Sequence, residues 1–184
     1  PHRFRAPRPA APWTGTRAAT SYGPQAMQPL FPFQDSALAA DPFHAPNRDF
    51  HRGIDVTPIP YAEDCLYLNV WTPGPAGRRP VMVWLHGGGF SAGAGSWGWF
   101  DGADLARDGD VVVVTVNHRL NVFGFLALDA LGGRAAGYTP NAGMLDLIAA
   151  LDNSDLYTAP TMSKVLFRLG CNASALARYV SPAK

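Results

Sequence analysis

The chain has little of what marks a nucleic-acid or anionic-surface binder: 15 Lys+Arg are matched by 14 Asp+Glu, and only 16% of its 184 residues are charged. Phosphate recognition needs a basic excess gathered on one face, so neither nucleic acid nor an acidic membrane is an expected partner. No apolar run approaches the roughly 18 residues that a membrane-spanning helix needs. Two cysteines cannot build a disulfide framework, which leaves the redox compartment open. The sequence has no Gly-Lys-Ser/Thr behind a glycine-rich turn, so a P-loop is excluded, and it has no Tyr-x-x-x-Lys pair and no internal repeat.

What is present is apolar and rich in turns. Hydrophobic residues make up 47% of the chain, enough for a core, and a domain near this length buries about 70% of its unfolded surface, so wholesale disorder is not expected. The 19 Gly and 17 Pro are too many for a helical bundle and point to a loop-rich α/β or β architecture. The chain opens on Pro1 without an initiator Met, in a Pro/Arg-rich stretch. We expect its natural start to be missing, with any signal peptide lost alongside it, and localisation stays open.

Residues 1 to about 62 are punctuated by Pro and Gly and read as irregular, surface-draped chain with turns such as Tyr22-Gly23-Pro24. From Asp64 the pattern changes. Leu66, Leu68 and Val70 alternate with Tyr67, Asn69 and Trp71, the period of a strand, which Pro73-Gly74-Pro75 ends. Val81–Leu85 and Val111–Val116 are unbroken apolar runs, as expected of central strands covered on both faces. Between them Ala103-Asp104-Leu105-Ala106-Arg107 predicts a short helix stopped at Gly109. Strand, loop, helix and strand make a βαβ unit with a parallel pair. Asn141 is placed to cap a helix carrying Met144, Leu145, Ile148 and Leu151. Further on, Met162, Val165, Leu166 and Leu169 before Gly170 suggest another helix, and Leu176, Tyr179 and Val180 a last one.

The chemistry is concentrated in one loop. His86-Gly87-Gly88-Gly89-Phe90 follows directly on an apolar run, and glycines continue at Gly93, Gly95 and Gly98. So much glycine means unusual backbone dihedrals or a close approach of something to the N–H groups. A dinucleotide loop is one reading, since Gly93-x-Gly95-x-x-Gly98 matches the fingerprint literally and Arg119 is placed to meet a 2′-phosphate. Against it, Gly93 falls eight residues after Leu85 instead of at the strand end, and Trp97, Trp99 and Phe100 crowd the place where the phosphate-binding helix should start. The stronger reading is an oxyanion hole, in which a His-Gly-Gly-Gly loop brings backbone N–H groups against a tetrahedral intermediate with no side chain between. A glycine turn of purely structural purpose would be the better reading of Gly-Gly-Gly alone.

The rest of the sequence decides between them. Glu63-Asp64-Cys65-Leu66-Tyr67-Leu68-Asn69-Val70-Trp71 resembles the E-D-C-L-x-L-N segment of the type B carboxylesterases, the family that also holds the cholinesterases. Downstream, Asn117-His118-Arg119-Leu120-Asn121-Val122-Phe123-Gly124-Phe125-Leu126 is similar to that family's N-Y-R-x-x-x-x-G-F-L, and Asn141-Ala142-Gly143-Met144-Leu145-Asp146 to its N-x-G-L-x-D helix start. Arg3-Phe4-Arg5-Ala6-Pro7, Trp13, Gly15 and Ala19-Thr20-Ser21-Tyr22-Gly23-Pro24 look like the segment before them. The resemblance implies an α/β-hydrolase fold of which residues 1–152 are the amino-terminal portion, an incomplete central sheet with flanking helices, with residues 153–184 read as a divergent, helical tail without similarity. It implies a serine acyl-enzyme mechanism on small-molecule carboxylic esters, with no cofactor and no metal, and Gly88 and Gly89 as two oxyanion donors. It also implies an Arg3–Glu63 ion pair of structural purpose, worth about 0–1 kcal/mol at a surface. His86 is then the first residue of the loop and not the catalytic histidine, while Asn69, Asn117 and Arg119 are buried polar scaffolding.

The departures from the family pattern matter equally. Ala26 stands where the family often has the cysteine that pairs with position 65, so Cys65 and Cys171 are read as thiols, and Asn172-Ala173-Ser174 is a glycosylation sequon by pattern alone. No G-x-S-x-G occurs; Ala94-Gly95-Ser96-Trp97-Gly98 comes nearest, but Ser96 lies inside the oxyanion loop and not on a strand-to-helix turn. Nucleophile, acid and base are therefore expected to be absent from this chain, which by itself should be inactive. The alternatives are a non-catalytic, cholinesterase-like adhesion protein and, behind it, an NADP-dependent oxidoreductase. Trp97, Trp99 and Phe100 are candidates for a gorge mouth or for packing among loops. A partial sheet predicts an open edge and aggregation.

Overall fold

The computed structural model describes residues 2–10, 14–15, 18–29, 59–74, 78–133, 135–152 and 180–182. Trp13, Cys171, the 172–174 sequon, the helix expected around 162–169 and nearly all of the 153–184 tail lie outside them. In chain order the strands are β1 (Gln25–Ala26), β2 (Tyr61–Ala62), β3 (Leu68–Thr72), β4 (Val81–Leu85), β5 (Val112–Val116) and β6 (Val180–Pro182). The helices are α1 (Ala103–Gly109), α2 (Asn121–Phe125) and α3 (Ala142–Leu151), with short 3-10 turns at Gly98–Phe100 and Leu128–Leu131.

Four strands form one sheet in the order β4-β5-β3-β6. β4 and β5 run parallel, Val81 opposite Val112 and Leu85 opposite Val116, as the βαβ reading requires. β3 lies antiparallel to β5, with Leu68 opposite Val116 and Trp71 opposite Val113. The β-branched run of β5 is buried along its whole length, because helices cover both faces. Val112, Val114 and Val116 pack with Leu68, Val70, Leu147 and Ala150, the last two from α3. Val113 packs with Trp71 and Ala106, the latter from α1, on the opposite face.

Alternation in β3 does not mean one wet face, since all five of its residues are buried. Its polar member is satisfied across the ladder, where Asn69 Nδ2 donates to Thr115 Oγ1 at 2.9 Å. The expectation for Val81–Leu85 needs correcting. Among the described residues β4 is the sheet edge, and Met82, Trp84 and Leu85 are 45%, 46% and 43% exposed. An unbroken apolar run reports what a strand can bury, not which neighbours cover it.

Two helix ends differ in chemistry from the sequence reading. α1 closes on Asp110 in the left-handed region (φ 48°), one residue beyond the expected glycine; Asp tolerates that conformation, and Arg79 Nε donates to its carboxylate at 2.7 Å. Asn141 does precede α3, but with φ 54° and no side-chain capping bond. A capping side chain reaches the N2 or N3 amide from an extended backbone, and the left-handed turn points it elsewhere. The buried face of α3 is Ala142, Gly143, Asp146, Leu147 and Ala150, whereas Met144, Ile148 and Leu151 are 39%, 54% and 41% exposed. Small residues let the helix approach: a Cβ on Gly143 would lie 2.5 Å from the Arg119 carbonyl oxygen.

Val180 belongs to a strand and not to a last helix, pairing parallel with β3 opposite Val70. Among the described residues β3 offers an otherwise open row of backbone groups there. The early region, read as irregular, contains the parallel β1–β2 bridge, Gln25 opposite Tyr61 and Ala26 opposite Ala62. Ala26 shares a buried cluster with Cys65, Leu66 and Leu120, which places the residue standing for the family's cysteine in the same pocket of core as the 1%-exposed Cys65 thiol. Among the described residues no helix is long and apolar enough to cross a membrane.

Candidate functional site

His86–Gly93 leaves the carboxyl end of β4, the end of a parallel strand at which open α/β sheets place their ligands. Three of its glycines, Gly88, Gly89 and Gly93, have backbone angles that side chains resist. Gly88 sits at φ 114°, where a Cβ would lie 1.9 Å from the Ala92 carbonyl oxygen, and Gly89 sits at φ 60° with open space around it. Phe90 continues the left-handed turn at φ 59°. Gly88 O accepts from the Ser91 N–H at 3.1 Å and from the Ala92 N–H at 3.2 Å. His86 Nδ1 lies 2.8 Å from Gly87 O; a carbonyl only accepts, so Nδ1 carries the proton.

These bonds orient two peptide planes. In a trans peptide the C=O and the following N–H point in opposite directions. With Gly87 O held by His86 and Gly88 O held by the turn, the N–H of Gly88 faces away from the first anchor and the N–H of Gly89 away from the second. No described residue accepts a hydrogen bond from either, and Gly88 and Gly89 are exposed. Outward, unspent N–H groups on adjacent residues are able to receive one developing negative oxygen.

The support beneath the loop is polar and buried. His86 and His118 are 9% and 2% exposed and stack with ring centroids 4.8 Å apart and planes 9° from parallel. Burial pushes His86 down to about 4, the Gly87 carbonyl opposing and His118 adding to the fall. Asn117 Oδ1 accepts the Gly95 N–H at 2.7 Å, and Thr115 Oγ1 donates to Gly95 O at 2.7 Å. Arg119 reaches Asp146 of α3 through Nε at 2.8 Å and Nη2 at 2.6 Å, receives support through its own N–H at 3.0 Å, and donates from Nη1 to Arg5 O at 2.8 Å. Burial pushes the Asp146 carboxyl above its ordinary value while these Arg119 contacts pull it back. Asn117 and Arg119 thus tie backbone segments directly, and Asn69 does so through Thr115 Oγ1, as scaffolding does. Arg3 and Glu63 pair through Nε–Oε2 at 2.7 Å and a second Nη2–Oε1 contact; at 54% and 44% exposure the pair adds little stability.

Two glutamines escaped the sequence reading. Gln28 clamps Gly93 like an added strand residue, Oε1 accepting its N–H at 2.6 Å and Nε2 donating to its C=O at 3.0 Å. Gln25, fully buried, accepts from Trp97 Nε1 at 3.0 Å and donates to Ile59 O at 2.9 Å. No sequence signal connects residues 65 or 72 positions apart; the signals nearby are the segment ending at Pro24 and Ala26.

The fingerprint glycines are packed rather than open. A Cβ on Gly93 would lie 2.2 Å from His86 Nδ1, and one on Gly95 would lie 2.9 Å from Thr115 Oγ1, which leaves a pyrophosphate no room against them. Gly98–Phe100 is a 3-10 turn and α1 starts only at Ala103. Trp97, Trp99 and Phe100 pack on one another, with Phe100 also 5.5 Å from the Trp84 ring. Ser96 is 3% exposed, and its Oγ meets no hydrogen-bonding partner among the described residues; an activated nucleophile needs a base within reach. A cavity of about 710 Å³ lies apart from the loop, between Arg3, Arg5, Cys65, Leu120, Phe123 and Tyr138.

Strand-edge glycine loop, parallel βαβ unit and helices on both sheet faces define part of an α/β-hydrolase. Solved structures agree. The chain superposes on a thermophilic PNB esterase with TM-score 0.65 and 37% identity, over 88% of this chain and 29% of that one. It superposes on a carboxylesterase of Geobacillus stearothermophilus with TM-score 0.63 and 40% identity, over 88% and 28%. The carboxylesterase family profile matches residues 1–153, and the chain belongs to that family. It is 42% identical to para-nitrobenzyl esterase of Bacillus subtilis over 151 residues, 81% of this chain and 26% of the relative. It is likewise 42% identical to human carboxylesterase 3 over 154 residues, 82% of this chain and 24% of the relative. The chain therefore spans about a quarter of the length of the curated relatives it matches.

Proposed function

We propose that residues 1–152 are the amino-terminal part of a serine carboxylic-ester hydrolase domain, that residues 153–184 are a divergent tail, and that Gly88 and Gly89 donate two hydrogen bonds of its oxyanion hole. When a nucleophile attacks an ester carbonyl, the carbonyl oxygen takes up negative charge and shortens its distance to any fixed donor. Donors already pointing there need no reorganisation, and each is worth about 3–4 kcal/mol of barrier in such sites. The observation that carries the reading is the paired anchoring of Gly87 O and Gly88 O, which leaves both N–H groups outward. Small uncharged carboxylic esters suit the near-neutral composition.

Acyl transfer also needs a nucleophile, a base and an acid, and these residues contain no G-x-S-x-G. The chain by itself should hydrolyse p-nitrophenyl acetate no faster than a control protein; turnover that Ser96→Ala abolishes would overturn that. The oxyanion reading has a separate test. With residues 1–152 replacing the matching quarter of para-nitrobenzyl esterase, the chimera should hydrolyse para-nitrobenzyl esters, and Gly88→Ala in it should lower kcat about a hundredfold or more. A folded chimera indifferent to that change would refute the assignment.

A further inference from the structure

We infer that the stacked imidazoles of His86 and His118 are a protonation-sensitive support of the glycine loop, holding the Gly87–Gly88 peptide with its N–H outward only while both rings are neutral. His118 is the positioning residue and acts through His86. The functional consequence rests on the oxyanion reading; the geometry does not.

Each ring is fixed through one nitrogen. His86 Nδ1 donates to Gly87 O at 2.8 Å and His118 Nδ1 donates to Arg119 O at 2.9 Å, so both neutral rings are Nδ1–H tautomers with bare Nε2 atoms. His86 Nε2 is buried and meets no partner among the described residues. A proton there would create a buried donor with no acceptor, in a ring lying 4.8 Å from another imidazole. The ring would have to turn outward to reach water, and in turning it would let go of Gly87 O. The peptide that presents the Gly88 N–H would then rotate freely.

Among the described residues nothing packed against the pair offers to neutralise an imidazolium. Residues 87–93 of the loop are Gly, Phe, Ser and Ala, without a titratable side chain. Phe90 meets His118 edge-on at 6.2 Å and itself packs on Phe125 of α2. The charged neighbour beyond β5 is Arg119, already committed to Asp146 of α3 at 2.6 Å. Among the described residues no carboxylate pairs with either ring. Burial lowers both rings, His86 to about 4. Folded values below the unfolded 6.5 mean that the unfolded loop takes protons first; the support is complete above about pH 6.5 and is lost as pH falls towards 4. His118 stands where the family pattern has Tyr, a ring that does not titrate in that range.

The test is amide exchange by NMR on the full chain, comparing Ser91, Ala92 and Gly93, whose N–H groups are bonded, with Val113, Val114 and Thr115 of β5. From pH 7 to 4, after correction for intrinsic rates, protection of the loop relative to the strand should fall about tenfold or more. His86→Gln, whose amide can donate to Gly87 O and does not titrate, should keep that ratio within about threefold, and His86→Asn gives the same reading should the glutamine variant not fold; His118→Tyr, which removes only the second imidazole, should lessen the native fall without abolishing it. A native ratio unchanged down to pH 4, or an equal fall in the native chain and the His86→Gln variant, would overturn the inference. Because no ester is involved, that failure is distinct from a chimera that ignores Gly88→Ala, which would sink the oxyanion reading alone.

Discussion

Gly88 and Gly89 are chemically identical neighbours, yet alanine should affect them very differently. At Gly88 the φ of 114° belongs to a region almost reserved for glycine, and the new Cβ would stand 1.9 Å from Ala92 O and 2.7 Å from its carbonyl carbon. Ordinary contact begins near 3.4 Å, so the oxygen must retreat by more than an ångström. That movement breaks the Ser91 and Ala92 bonds to Gly88 O, now 3.1 and 3.2 Å, at about 0.5–1.5 kcal/mol each. Backbone strain adds about 1–3 kcal/mol, for a total destabilisation of about 2–6 kcal/mol. At Gly89 the φ is 60° and nothing lies within 4 Å, so alanine loses about 1 kcal/mol to the left-handed conformation and recovers part of it from a stiffer unfolded chain. Guanidinium unfolding followed by tryptophan fluorescence measures both. Equal losses in the two variants, or a Gly88→Ala protein within 1 kcal/mol of the parent, would refute the loop geometry.

Asp146→Asn should cost about 3–5 kcal/mol in chemical unfolding, because it strands the buried Arg119 guanidinium, while Arg119→Met with Asp146→Leu should recover most of that loss; an Asn variant within 1 kcal/mol of the parent would refute the coupling. Trp84→Lys places a charge on the half-open β4 edge and should raise the concentration at which light scattering first detects association, by about severalfold. Unchanged association would mean that another surface mediates it.

Much of the architecture was legible because its causes are local. β-Branched runs make Val112–Val116 a strand wherever it lies, and a glycine triplet straight after an apolar strand announces a backbone that something must approach. Asn117 and Arg119 were readable as scaffold because buried polar side chains need partners, and both have them. The errors share a different cause. Asn141 has the composition of a cap but not the conformation, since its backbone is left-handed and its side chain makes no capping bond. Three of the four apolar positions of α3 named from spacing, Met144, Ile148 and Leu151, form its open face, because Leu147 and Ala150 meet the sheet instead.

From the sequence alone came the family, the strand–glycine-loop unit and the two candidate donor residues, all of which depend on residue type and order along a short stretch. Only the tertiary structure decided how the peptides of those candidate residues are held. Their direction depends on carbonyl partners, on Gln28 reaching Gly93 across 65 positions, and on His86 meeting His118 face to face. Those contacts join segments far apart in the chain, and periodicity carries no record of them. The same holds for burial: Val81–Leu85 has the composition of a covered strand, but coverage is a property of neighbours, and among the described residues β4 has one strand beside it.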